Sequence, residues 1–156
     1  MGTVDIRRST LASPEAARLI AALNAELKST FPEPGATHFS LTSGQVEAGD
    51  GAFVIAVLDD AAVGCGAVRR LDGTTGELKR MYVDPSVRGR GIGRALVDAL
   101  EREARRLGMT NVVLETGTRL APAIKLYEAM GYARIPLFGE YVSSPLTSLC
   151  FGKSLE

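Results

Sequence analysis

The run from Glu77 to Arg94, Glu-Leu-Lys-Arg-Met-Tyr-Val-Asp-Pro-Ser-Val-Arg-Gly-Arg-Gly-Ile-Gly-Arg, holds the densest set of chemistry-bearing residues in the 156-residue sequence. Its first half reads as a strand that stops at Asp84-Pro85. A turn carrying Gly89, Gly91 and Gly93 then leads directly into an apolar helical stripe. Glycines let the backbone take positive φ and approach a ligand closely. The first amides of a helix have no intrahelical partner, and the helix dipole adds partial positive charge there. Arg88, Arg90 and Arg94 surround that point. The combination suits a bound phosphate. A tight turn with surface arginines is the competing reading, and the coincidence of glycines, helix start and arginines weighs against it.

Two familiar phosphate sites are excluded. A P-loop needs a lysine followed by Ser or Thr, which this turn lacks. A dinucleotide fingerprint needs G-x-G-x-x-G, but Arg94 stands where the last glycine belongs.

Charge agrees with a local anion site. The chain has 18 Lys+Arg and 18 Asp+Glu, a formal net charge of zero. Residues 1–60 carry four basic and eight acidic side chains, whereas residues 79–106 carry eight basic and four acidic ones. A basic block inside a neutral chain points to one bound anion, not to a nucleic-acid partner. Arg102, Arg105 and Arg106 read as a solvated helix face.

The elements that must position this turn follow from periodicity. Residues 4–8 are an expected strand. Ser13-Pro14-Glu15 is a helix start, with Ser as N-cap and Pro at the first position. Ala16, Leu19, Ile20, Leu23 and Leu27 keep helical spacing to about residue 29. A polar stretch with room for one short helix follows. Residues 53–58, 62–70 and 77–83 read as strands joined by tight turns. Ile92, Leu96, Ala99, Leu100, Ala104 and Leu107 form the clearest helix, stopped by Gly108. Residues 111–115 read as a buried strand, and Pro122 opens a shorter helix that Gly131 closes. Residues 132–135 and 147–153 read as the last strands. The order predicts a single mixed α/β domain, residues 1–156, around one central sheet. Apolar residues make up 46% of the chain, which rules out global disorder. No apolar run reaches membrane-spanning length. The opening residues lack an apolar signal segment. Cys65 and Cys150 lack a CxxC or His partner, so buried free thiols and a cytoplasmic location are expected.

The run Arg88-Gly89-Arg90-Gly91-Ile92-Gly93-Arg94 resembles the R/Q-x-x-G-x-G/A motif of the GNAT (Gcn5-related N-acetyltransferase) superfamily. The strand before it, the later Leu114-Glu115 strand and the stretch Ala123-Ile124-Lys125-Leu126-Tyr127-Glu128-Ala129-Met130-Gly131-Tyr132 resemble the rest of that family's core. The likeness covers roughly residues 50–153. It implies a mostly antiparallel central sheet that splays beside an acyl-CoA site. It implies an acyl-CoA-dependent N-acyltransferase using acetyl-CoA as co-substrate and a small-molecule or peptide amine as acceptor, with homodimers common. Carried over residue by residue, Arg88 to Arg94 hold the coenzyme pyrophosphate. Met81, Tyr82 and Val83 bind the pantetheine arm through their backbone, beside Ala123. The family often has Asn where this chain has Leu120, which removes one expected contact to that arm.

Amine acetylation needs a proton acceptor for the ammonium and a proton for the leaving thiolate. The resemblance gives Glu77 as the general base and Tyr127 as the acid beside the coenzyme sulfur. Glu77 reads equally as a strand-end surface carboxylate, and Tyr127 also reads as a packed core tyrosine. A backbone N–H near Tyr82 or Val83 would polarise the thioester oxygen. Neither cysteine lies in a motif, so direct transfer in a ternary complex is expected. His38, the single histidine, and the loop Phe138-Gly139-Glu140-Tyr141 fall where the family contacts its acceptor; simple solvation and an ordinary loop are the alternatives. Two other classes compete: a non-catalytic acyl-CoA sensor and a nucleotide-phosphate enzyme. The acidic first 60 residues suggest a cationic acceptor. No metal is expected, and no nucleic-acid or membrane partner.

Overall fold

The computed structural model describes residues 3–34, 39 and 41–156. Seven strands form one sheet in the order β1-β2-β3-β4-β5-β7-β6. They are β1 (Asp5–Ser9), β2 (Gly51–Leu58), β3 (Ala61–Arg70), β4 (Thr75–Val83), β5 (Asn111–Gly117), β6 (Ala133–Ile135) and β7 (Ser148–Ser154). Helices α1 (Pro14–Thr30), α2 (Ile92–Arg106) and α3 (Ala121–Ala129) complete the frame. Every neighbouring pair is antiparallel except β4–β5.

Local chemistry sets these elements. The Ser13 hydroxyl accepts from the Ala16 amide at 3.1 Å, and Pro14 occupies the first turn of α1. Asp59 and Asp60 both take positive φ, the mirror-image turn that matches strand twist and joins β2 to β3. Gly108, at φ 82°, ends α2. The short second helix of the polar stretch is one turn of 3-10 helix, Ser43–Val46.

The two faces of the sheet are covered differently. On one face α1 places Ala16, Leu19 and Leu23 against Phe53, Ile55, Val57 and Ala67. On the other, α2 buries Ile92, Leu96, Val97 and Leu100 against Val54, Val68, Leu78, Val112 and Leu114, with Tyr127 of α3 in the same core. Each such aliphatic side chain contributes about 1.5–3 kcal/mol on full burial. Both cysteines are free and buried. Among the described residues no helix is long and apolar enough to cross a membrane.

Candidate active site

The site begins where the sheet comes apart. The parallel pairing of β4 with β5 stops after Leu78↔Leu114, although β4 runs on to Val83 and β5 to Gly117. A bulge on β4 turns the strand at this point: Arg80 has φ 58°, and the register to β3 shifts between Cys65 and Ala67. Bulges re-aim a strand and increase its local twist. The result is a gap through the middle of the sheet, with one edge of β4 bare over residues 79–83.

Two structures meet at the ends of that gap. Beyond Val83 the chain makes a short turn, Pro85–Val87, capped by the Asp84 carboxylate, which accepts from the Ser86 amide and hydroxyl at 2.9 and 2.7 Å. Those bonds hold the Asp84 carboxyl below its ordinary range. The chain then enters α2 through Gly89 and Gly91, at φ 82° and 80°. Gly91 is the N-cap and brings no side chain to the first helical amides. A Cβ built on either glycine meets nothing within 4 Å, so the space above the cradle is open. These residues therefore fit a phosphate-bearing ligand.

The individual residues of the loop play different parts. The Arg88 guanidinium donates to the Val83 carbonyl at 2.8 Å and pairs with Glu26 at 2.7 Å, tying the loop to α1. Arg90 and Arg94 are exposed at the helix start. Ile92 is a core residue and can offer only its amide. Gly93 serves packing: an added Cβ would stand 3.1 Å from Leu126, so the glycine lets α2 approach α3.

At the other end of the gap lies a cavity of about 130 Å³. Leu23, Leu27 and Phe31 line it from the α1 side, Met81 and Thr116 from the strands, and Leu120, Ala123 and Tyr127 from α3. Leu120 is the N-cap of α3 and caps nothing with its side chain. Tyr127 is 5% exposed and stacks edge-on against Tyr132. Burial raises its hydroxyl pKa, and the nearby Glu115 charge adds to the shift, so the hydroxyl stays protonated.

Glu77 is not the strand-end surface carboxylate of the competing reading. It is the third residue of β4, fully buried, and is not among the residues lining the cavity. Arg69 binds its Oε1 through Nε at 3.0 Å and Nη2 at 2.8 Å, and the Tyr141 hydroxyl donates to its Oε2. Lys79, almost fully buried, pairs with Glu140 at 2.6 Å and lies 5.5 Å from the Tyr141 ring centre. The loop that holds Phe138 to Tyr141 is therefore a wall of the site. Glu140 is engaged by a lysine, and Tyr141 lines the cavity.

Sequence reasoning missed Glu115 as a site residue. It lines the cavity, and the Ser148 hydroxyl donates to its Oε2 at 2.6 Å. Burial pushes this carboxyl up to about 7. The Ser148 bond and Lys79 oppose the shift, while the Glu77 and Glu140 charges add to it. A carboxylate inside an apolar strand was the available signal; its partner, 33 residues away, was not visible. None of the eight acidic residues of positions 1–60 is among the residues lining the cavity. His38 lies outside the described residues.

Comparison with known proteins agrees with this architecture. Over 99% of both chains, the structure superposes with a TM-score of 0.85 on a Klebsiella pneumoniae protein assigned to the acyl-CoA N-acyltransferases, at 32% identity. An IAA acetyltransferase of Azospirillum brasilense is 43% identical over 96 residues, 61% of this chain and 63% of that one. An N-acetylaspartate synthetase of Danio rerio is 38% identical over 105 residues, 64% of this chain and 37% of that one. The matches to these two relatives thus span less than two thirds of their lengths. Residues 18–132 match the family model described as "Acetyltransferase (GNAT) family". With the splayed sheet and glycine-rich helix start in place, the chain belongs to that family.

Proposed function

We propose that this protein transfers an acetyl group from acetyl-CoA to the amino group of a small acceptor, by direct attack in a ternary complex. One observation carries the reading. The bare edge of β4 runs from the cavity that holds Tyr127 to the open glycine cradle at the start of α2. A long thin ligand with a phosphate at one end and a reactive group at the other fits that path. The cradle amides, with Arg90 and Arg94 beside them, would hold the pyrophosphate, and Arg88 would fix the loop. The backbone of Met81, Tyr82 and Val83 would bond the pantetheine arm as a missing strand would. Ala123 and Tyr127 would flank the sulfur, and the Tyr127 hydroxyl would donate to the departing thiolate.

The acceptor we infer is an amine that also bears a carboxylate, such as an amino acid. The charged side chains lining the cavity are Lys79, Arg80 and Glu115. Lys79 is held by Glu140, which leaves Arg80 against a carboxyl that burial pushes up to about 7, and that balance favours an anionic substituent. The cavity is small, well below the roughly 300–1,000 Å³ of drug-sized sites. The name of the zebrafish relative, an N-acetylaspartate synthetase, points to an acidic small molecule as well.

The test is thiol release from acetyl-CoA with a panel of free amino acids, polyamines and aminoglycosides, beside calorimetric titration of acetyl-CoA. Turnover with amino acids and none with polyamines is expected. Tight acetyl-CoA binding with no thiol release from any amine would make the protein a sensor. Stabilisation by ATP but not by acetyl-CoA would make it a nucleotide enzyme.

A further inference from the structure

Lys79 and Arg80 are neighbours on β4 and line the cavity together, but only Lys79 has a carboxylate partner, Glu140 at 2.6 Å. Arg80 makes no ion pair with any of the described residues. Its Nη2 donates to the Phe39 carbonyl at 2.6 Å, a neutral acceptor that fixes the guanidinium without cancelling its charge. Arg80 is half-buried and sits in the β4 bulge at φ 58°. Non-glycine residues rarely take that conformation, and those that do cluster at functional sites. A guanidinium presents its N–H donors in a planar fork that matches a carboxylate.

The α1 wall of the same cavity is apolar and held in place. Leu23, Leu27 and Phe31 form it. Phe31 is the C-cap of α1 and is 4% exposed. A Cβ at Gly117 would overlap its ring, so the glycine lets the ring lie against β5. The Arg119 guanidinium stands 4.9 Å from the ring centre and donates to the Thr30 carbonyl at 2.9 Å. Both β5 and the turn before α3 therefore fix the ring.

Together these features make a site with one positive group and an apolar side. One unpaired cation neutralises one carboxylate. A second carboxylate would lie against Leu23, Leu27 and Phe31, or beside Glu115, with no cation left to meet it. Taking an unpaired carboxylate out of water is costly. Arg80 also directly precedes Met81, the first of the residues proposed to carry the pantetheine arm, so the carboxylate site borders the place of the thioester. That suits an amine and a carboxylate on one carbon, with the third substituent against the α1 wall.

We propose that Arg80 sets acceptor specificity by pairing with a carboxylate, and that the acceptor is a monocarboxylic α-amino acid with an apolar side chain. The proposal rests on acetyl transfer to an amino acid being the reaction, and it narrows the substrate class.

Thiol release from acetyl-CoA is measured with leucine, methionine and phenylalanine, with aspartate and glutamate, and with leucinamide, which lacks the carboxylate. The parent is compared with Arg80→Asn, and acetyl-CoA affinity is measured on both. Asn takes positive φ more readily than most residues, so the bulge tolerates the change. In the parent, kcat/KM for the best apolar amino acid should exceed that for aspartate and glutamate by about 10-fold or more. In Arg80→Asn the leucine-to-leucinamide ratio of kcat/KM should fall by about 10-fold or more, with acetyl-CoA affinity unchanged. Comparing one ratio between two proteins cancels the difference in amine basicity between the two compounds. A mere distortion of the strand would lower both rates alike and leave the ratio as it was. An unchanged ratio, or aspartate or glutamate turned over as well as the apolar amino acids, overturns the proposal while acetyl transfer stands. Thiol release absent with every amine, from a parent that binds acetyl-CoA, overturns the transferase reading and this proposal with it.

Discussion

The hydroxyl of Tyr141 donates to the carboxylate of Glu77, joining the loop before β7 to the third residue of β4 across 64 positions of sequence. With Arg69 on the other oxygen, this bond ties Tyr141, a residue of the cavity wall, to a carboxylate buried behind it.

Removing Arg69 should expose how much the wall depends on that pair. Removing one partner of a buried ion pair costs up to about 3–5 kcal/mol. Arg69→Ala should therefore lower unfolding free energy by roughly that amount in urea melts. The exposed Arg7–Asp5 pair is the control, and Arg7→Ala should cost less than about 1 kcal/mol. Equal effects would show that Glu77 is solvated or protonated in the folded protein.

The N-cap of α2 gives a cleaner binding prediction. Gly91 sits at φ 80°, where a β-branched side chain is strained. Gly91→Val should leave a folded protein and weaken acetyl-CoA by at least about tenfold, equivalent to roughly 1.4 kcal/mol. Calorimetry with unchanged affinity would remove the pyrophosphate assignment.

Tyr127→Phe deletes one hydroxyl from a cavity wall and keeps the ring packed on Tyr132. Turnover should fall by about 100-fold with acetyl-CoA affinity unchanged, the pattern of a group that acts in the transition state. Full turnover would return Tyr127 to a packing role.

Glu115 should also leave a mark on stability, and its sign is opposite to that of an ion-paired acid. The folded carboxyl holds its proton up to about 7, against an ordinary value of 4.5. Its contribution is complete below the unfolded value and is lost as pH rises through the folded one. Glu115→Gln should therefore match the parent near pH 4 and exceed it at pH 8, by on the order of 1–3 kcal/mol. A constant difference across pH would contradict the shift.

Much of this arrangement was legible in the sequence because it is local. Ser13-Pro14 announced α1, Asp59-Asp60 the hairpin, Gly108 the end of α2, and Gly89 to Gly93 the cradle. What escaped was set by register. Glu115 meets Ser148 only because β5 pairs with β7 so that Glu115 stands opposite Cys150 and Gly117 opposite Ser148. Glu77 meets Arg69 because those two residues are opposite in the β3–β4 ladder. Spacing within one segment carries no trace of such pairings. The partners of two acids from the first 60 residues were equally invisible: Glu26 pairs with Arg88 and Glu33 with Arg119.

The gap between β4 and β5 places a raw sheet edge at the centre of the molecule. In most sheets the middle strands hold the slowest-exchanging amides and the rim the fastest. Here part of that order is inverted, since the open side of β4 past Leu78 has no neighbouring strand among the described residues. An edge at the rim invites pairing with any other chain. This one is walled by α1 on one face and by α2 and α3 on the other, which suits the slender extended ligand proposed for it. Amide protection at Met81 and Val83 would then appear when that ligand arrives, with the sheet's own ladder left unchanged.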